Sequence, residues 1–178
     1  MKRYVALLRG INVGGANRLP MRDLTAALER LGAREVRTYL QSGNAVFLHA
    51  ARGAPRLAAE IGAAIEAARG FLPKVLVRDA ADLERAIAGN PFPEAAADPK
   101  SLHVFFLDAV PARPDLEALA RLRKETERFL LAGDLLYLHA PDGFGRSRLA
   151  AGAEAALGVP ATARNWRTIR ELLELARR

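Results

Sequence analysis

Over the first 79 residues the hydrophobic period switches between that of a strand and that of a helix in the order β-α-β-β-α-β, an order few folds accommodate. Residues 3–8 are apolar and β-prone, and they run straight into Gly10-Ile11-Asn12-Val13-Gly14-Gly15, where neither strand nor helix continues. From Pro20 onward, Met21, Leu24, Ala27, Leu28 and Leu31 keep the spacing of one helical face, with Pro20 suited to the first turn and Gly32 to the C-terminal cap. Val36, Tyr39 and Leu40 lead into Gln41-Ser42-Gly43-Asn44, and Ala45 to Leu48 resume the apolar run, so two strands meet at a short turn. Leu57, Ile61, Ile65 and Ala68 mark a helix over 55–69, and Lys74 to Arg78 a further strand. Such an order is that of a ferredoxin-like unit, in which two helices cover one face of a four-stranded sheet.

A helix over 79–89, capped by Asp79, stops at Asn90-Pro91-Phe92-Pro93, which reads as the junction between two halves. Beyond it the pattern predicts a strand at 101–107, a helix at 113–124, strands near 127–131 and 135–139, and a helix from about Arg146. The same order thus begins again, but it closes with a helix at 166–177 where a strand is due. The expectation is an α+β protein of two ferredoxin-like (βαββαβ-type) halves, residues 1–79 and 80–178, the second degenerate and ending in a C-terminal helix. With 178 residues, 51% of them hydrophobic, and no exact repeat or low-complexity tract, the chain has the material for a real core.

The absence of cysteine removes disulfides, thiolate metal ligands and Cys nucleophiles by inventory, and it suits a reducing cytosol. Tyr4 to Leu8 is too short for the apolar core of a signal peptide, and no stretch approaches a membrane span, so a soluble, cytoplasmic protein is expected. A net charge of +7 favours phosphorylated, nucleotide or nucleic-acid partners. The plainer reading is compositional: lysine stands only at positions 2, 74, 100 and 124, and the remaining cations are arginine amid abundant Ala, Gly and Pro, as a GC-rich genome produces. His49, His103 and His139 lie in or beside apolar strands without metal-ligand spacing and read as structural. The acidic residues punctuate helices and form no paired-carboxylate site.

Three unusual strings stand in order along the chain: Leu7-Leu8-Arg9-Gly10-Ile11-Asn12-Val13-Gly14-Gly15 followed by Pro20-Met21, then Thr38-Tyr39-Leu40-Gln41-Ser42-Gly43-Asn44, and finally Thr162-Ala163-Arg164-Asn165-Trp166-Arg167-Thr168. Asn90-Pro91-Phe92 and Gly143-Phe144-Gly145-Arg146-Ser147 lie between them. On these strings the whole chain, 1–178, resembles the bacterial family known as domain of unknown function 1697. The resemblance implies an α+β fold with ferredoxin-like halves and carries over no catalytic residue, cofactor or substrate. Relatives often hold a basic residue where this chain has Ala16, which weakens any phosphate clamp built on that amine.

The strand, glycine loop and helix at 4–31 form a place where backbone N–H groups can hold an anion, although neither a P-loop ending nor dinucleotide-fold glycine spacing is present. Equally, it is a long turn with glycines at positive φ. Ser42, Gly43 and Asn44 are either a hairpin turn or hydrogen-bonding groups for a ligand, and no base is assignable to make Ser42 a nucleophile. Asn165 reads as the cap of the last helix, Trp166 as a core anchor or a base-stacking platform, and Arg164 and Arg167 as cations whose place at a helix start calls for an anion. The expected function is a binding module for an anionic ligand in a cationic cleft, with Arg9, Gly10, Asn12, Gly14, Gly15, Ser42, Gly43, Asn44, Arg164, Asn165 and Arg167 as binding residues. An enzyme acting on that ligand, or a structural or interaction protein, are the competing classes. The aromatic signature of an RNA-recognition motif is absent, and Phe105 and Phe106 read as core.

Overall fold

The computed structural model describes residues 1–51 and 53–178. Among them, eight strands form two four-stranded antiparallel sheets, accompanied by six α-helices. The chain divides into two compact units, Met1–Arg85 with Glu171–Arg178, and Ala86–Arg170.

In the first unit β1 (Lys2–Arg9), α1 (Met21–Arg30), β2 (Arg34–Tyr39), β3 (Asn44–His49), α2 (Ala54–Arg69) and β4 (Lys74–Asp79) follow the expected order. The sheet order is β2-β3-β1-β4. Tyr4, Ala6 and Leu8 alternate onto the helix side of β1 and pack with Leu24 and Leu28 of α1 and Leu57, Ile61 and Ile65 of α2. Each fully buried Leu or Ile here contributes roughly 1.5–3 kcal/mol. Glu35, at φ 51°, marks the irregularity between Arg34 and Arg37 where β2 shifts register against β3. In α3 (Ala80–Ala88), Asp79 and Asp82 cap one another: Asp82 N donates to Asp79 Oδ1 at 3.0 Å and Asp79 N to Asp82 Oδ2 at 3.1 Å.

The second unit runs β5 (Leu102–Leu107), α4 (Leu116–Leu122), β6 (Arg128–Ala132), β7 (Leu135–His139), α5 (Arg148–Leu157) and β8 (Ala161–Asn165), with sheet order β6-β7-β5-β8. Its core joins Phe105 and Leu107 to Leu119, Leu136, Leu138, Leu149 and Leu157. The last helix is α6 (Trp166–Arg177). The expectation of a degenerate second half is thereby corrected, because β8 supplies the fourth strand and pairs with β5 from His103↔Asn165 to Leu107↔Ala161. Its sequence, Ala-Thr-Ala-Arg-Asn, has little intrinsic strand preference and takes its conformation from pairing and burial at the sheet edge.

Both faces of the central strands are buried. Val5, Leu7 and Val46 point away from α1 and α2 and are at most 1% exposed, and in the second sheet Val104, Phe106 and Tyr137 are buried to the same degree. Tyr137 is satisfied there by donating to the Ala86 carbonyl at 2.8 Å. Phe105 and Phe106 are core residues, as expected, so the central strands present no open surface on which bases can stack. No described helix is long and apolar enough to cross a membrane.

Candidate functional site

β1 delivers the chain at Arg9 into a loop that folds as a miniature hairpin. Val13 and Ala16 bridge, and Gly14 and Gly15 take φ 60° and 80°, the signs a type I′ turn requires at both central positions. Two asparagines hold this loop from within. The Asn12 side chain accepts from Leu19 N at 2.8 Å and donates to the carbonyls of Leu19 and Gln41 at 2.9 and 2.8 Å, so both its amide hydrogens are committed. Asn17 donates to the Gly10 carbonyl at 2.8 Å. Both asparagines sit near φ 50°, a conformation their short polar side chains tolerate. From α2, Arg69 donates to the Arg18 carbonyl through Nε and Nη2 and pairs with Asp23 at 3.2 Å.

The Gln41–Asn44 turn locks onto the same loop. Leu8 N donates to the Gly43 carbonyl at 2.8 Å, and a Cβ at Gly43 would lie 2.6 Å from Leu8 Cβ and 2.7 Å from Ile11 Cδ1. Asn44 is fully buried and donates to the Tyr39 carbonyl and to Ser42 Oγ. Of the residues read from the sequence as ligand contacts, Asn12, Gly43 and Asn44 therefore build the loop pair itself. Arg9, Gly10, Gly14, Gly15 and Ser42 are exposed. The amides of Gly14 and Gly15 bond to nothing among the described residues. Arg9 stands opposite Lys74 in the β1–β4 register, which places two cations at the foot of the loop.

Sequence reasoning missed two participants. Arg69 reads as an ordinary last-turn residue of α2, and nothing in its neighbourhood in the chain announces its hold on Arg18. Leu40 lies in the left-handed region at φ 57° and is 57% exposed, while Val13 across the loop pair is 72% exposed. A bulky residue at positive φ on the surface is uncommon.

Arg164, Asn165 and Arg167 belong to the second unit. Arg164 is not at a helix start but on β8, opposite Val104, so the helix-dipole reason for giving it an anion does not apply to it. It is partly exposed as a residue, but its guanidinium is densely surrounded; desolvation lowers its pKa to about 10, and Nη1 donates to the Ala163 carbonyl at 2.9 Å. Asn165 caps α6 by accepting from Thr168 N at 2.9 Å. Arg167 is exposed and Trp166, 4% exposed, is buried with the apolar face of α6. Asn90-Pro91-Phe92 forms a side-chain-closed turn in which Asn90 Oδ1 accepts from Phe92 N. The Arg128 guanidinium lies 4.6 Å from the Phe92 ring centre, pairs with Glu94 and donates to His139 Nδ1 at 3.1 Å. His49 Nδ1 accepts from Ala51 N, which leaves Nε2 to donate to the Leu31 carbonyl at 2.8 Å.

A family model described as protein of unknown function (DUF1697) matches residues 1–137. The chain belongs to this family. The match takes in both strings that form the loop pair and the Phe92 turn, and it ends before Gly143–Ser147 and Thr162–Thr168. Among solved structures, the chain is similar to a conserved bacterial protein, SP0830 from Streptococcus pneumoniae, at 22% identity over 98% of both chains with a TM-score of 0.68. At that identity the likeness speaks for the DUF1697 chain's fold alone. No curated protein matches it.

Proposed function

We propose that this DUF1697 protein binds an anionic, phosphate-bearing ligand at the exposed tip of the first unit's loop pair. The carrying observation is the combination of a tightly cross-linked loop with tip amides, those of Gly14 and Gly15, that have no partner among the described residues. Turn amides held in place before the ligand arrives avoid the ordering cost of a flexible loop. Arg9 and Arg18 flank the tip and supply charge, and Arg18 N-terminal to α1 is exposed. Ser42 Oγ accepts from the Asn44 amide, an arrangement that lowers its nucleophilicity, so binding is favoured over covalent catalysis. Buried central strands argue for a loop-borne ligand over an RNA laid on the sheet.

The matching element and strand orders of the two units support reading each as a ferredoxin-like half. The cysteine-free composition suits a reducing cytosol, and the bacterial source of the structural neighbour supports a bacterial one.

The test is a thermal-shift panel of nucleotides, sugar phosphates and short oligonucleotides at low and physiological salt. A ligand at about 100 times its Kd is expected to raise the melting temperature by about 5–10 °C. Arg18→Ala is expected to abolish that rise while changing the stability of the free protein by less than about 0.5 kcal/mol. Shifts that vanish at physiological salt, or survive in Arg18→Ala, remove the loop tip from the reading. Consumption of the ligand would make the protein an enzyme on the same site.

A further inference from the structure

Three loops meet at one end of the first sheet. Arg9 stands opposite Lys74 and Leu7 opposite Asn44, so the β1–α1 loop, the β2–β3 turn and the α2–β4 loop all leave the sheet at that end. Hydrogen bonds tie them together there, from Asn12 to Gln41 and from Arg69 to Arg18. Each loop carries one large apolar side chain into water: Val13 is 72% exposed, Leu40 57% and Leu72 63%. Among the described residues of the first unit, the other large hydrophobic so exposed is Met1, the terminal residue. Leu40 is held at φ 57°, a conformation that glycine or asparagine would take with less strain, and a side chain more than half in solvent has little packing to offset it. Leu72 is partly anchored, its Cδ1 lying 3.1 Å from where a Cβ on Gly62 would stand.

Cations surround these tips. Arg9, Arg18, Arg22, Arg69 and Lys74 are exposed at this end, against two carboxylates, Asp23 and Glu66, of which Asp23 already pairs with Arg69 and Arg22. The Arg18 side chain makes no hydrogen bond or ion pair among the described residues. At the far end of the same sheet Lys2 and Arg3 are instead paired with Asp79 and Glu35.

We propose that this loop end docks on an anionic lipid bilayer, with Val13, Leu40 and Leu72 entering the headgroup–acyl boundary and the cations lying among the lipid phosphates. This rests on the reading of the tip as a phosphate site and makes the lipid headgroup the carrier of that phosphate. A free nucleotide or sugar phosphate answers the cations and the Gly14 and Gly15 amides but leaves the apolar tips in water. An anionic bilayer supplies both layers at once, phosphates at its surface and hydrocarbon about 5–10 Å below. Separate apolar tips on three loops also suit a fluid surface, which needs no pocket matched to each one, better than a folded protein partner.

The experiment is co-sedimentation of the full chain at physiological salt with vesicles of phosphatidylcholine alone and of an equimolar mixture of phosphatidylcholine and phosphatidylglycerol. The mixed vesicles are expected to retain the protein and the neutral ones to leave it in the supernatant. Leu40→Asn, which suits the positive φ and removes the apolar tip, is expected to weaken binding to the mixed vesicles about tenfold. Val13→Thr, which keeps the branched shape, is expected to weaken it several-fold and serves if Leu40→Asn fails to fold. Arg18→Ala is expected to weaken it about fivefold. Mixed vesicles that bind the parent and both tip variants equally would reduce the contact to surface charge and overturn the proposal. So would vesicles that leave the protein in solution: if pyrophosphate still moves the Gly14 and Gly15 amides, the loop site stands with a soluble ligand, and if it does not, both readings fall. Amide shifts in the three loops on adding poly-glutamate, without vesicle binding, would give the surface to an acidic protein instead. A dimer that Leu40→Asn dissolves, again without vesicle binding, would give it to a second copy of the chain.

Discussion

Replacing Gly43 by alanine separates packing from ligand contact at the loop pair. At φ 76° an L-residue costs about 1–2 kcal/mol. The added methyl would also stand 2.6 Å from Leu8 Cβ, backbone-fixed, and 2.7 Å from Ile11 Cδ1, so β1 or the turn must move. Overpacking of that kind costs a further 1–3 kcal/mol or about that, for a total of about 2–5 kcal/mol. Gly14→Ala is the matched control: φ is 60° there, but a Cβ meets nothing within 4 Å, so only the conformational part, about 1–2 kcal/mol, is expected. Urea unfolding of the three proteins gives both differences directly. For a chain of this size each kcal/mol is also about 2–4 °C in melting temperature. Equal losses in the two variants would refute the claim that Gly43 is held by the contact between the turn and the glycine loop.

Two further outcomes follow from burial. Arg164→Ala is expected to cost about 1.5–3 kcal/mol, since it removes a charged hydrogen-bond donor from a desolvated place, whereas Arg167→Ala at the exposed start of α6 is expected to change stability by less than about 0.5 kcal/mol; thermal melts of both variants check this. His103 has a folded-state pKa of about 4, below the ordinary 6.5, so the unfolded chain binds the extra proton first. Its contribution is therefore complete above pH 6.5 and is lost as pH falls through about 4, amounting to about 3 kcal/mol, and His103→Gln is expected to flatten the stability profile across that window.

The element order was legible in the sequence wherever periodicity and turn chemistry agreed. Met21, Leu24 and Leu28 marked α1, and Asp79 marked the start of α3, because those residues do locally what the fold needs globally. β8 was not legible: Thr162 is its single strand-favouring residue among Ala161, Ala163, Arg164 and Asn165, and the strand exists through its pairing with β5. The same limit applied at the candidate site. The polar strings around Asn12 and Asn44 stood out, yet their side chains spend their hydrogen bonds on Leu19, Gln41 and Tyr39, partners up to 29 residues away whose carbonyls no sequence pattern exposes. A polar loop string can thus mark a cross-link as readily as a ligand contact, whereas the amides of the exposed tip residues Gly14 and Gly15 make no hydrogen bond among the described residues.

The most direct test of the loop site is an amide titration of the uniformly labelled protein with inorganic pyrophosphate at physiological salt. Saturable shifts centred on Gly14 and Gly15, absent in Arg18→Ala, are the expected result. Loop amides that stay still, while small shifts spread over the arginine-rich surface and disappear as salt rises, would contradict it.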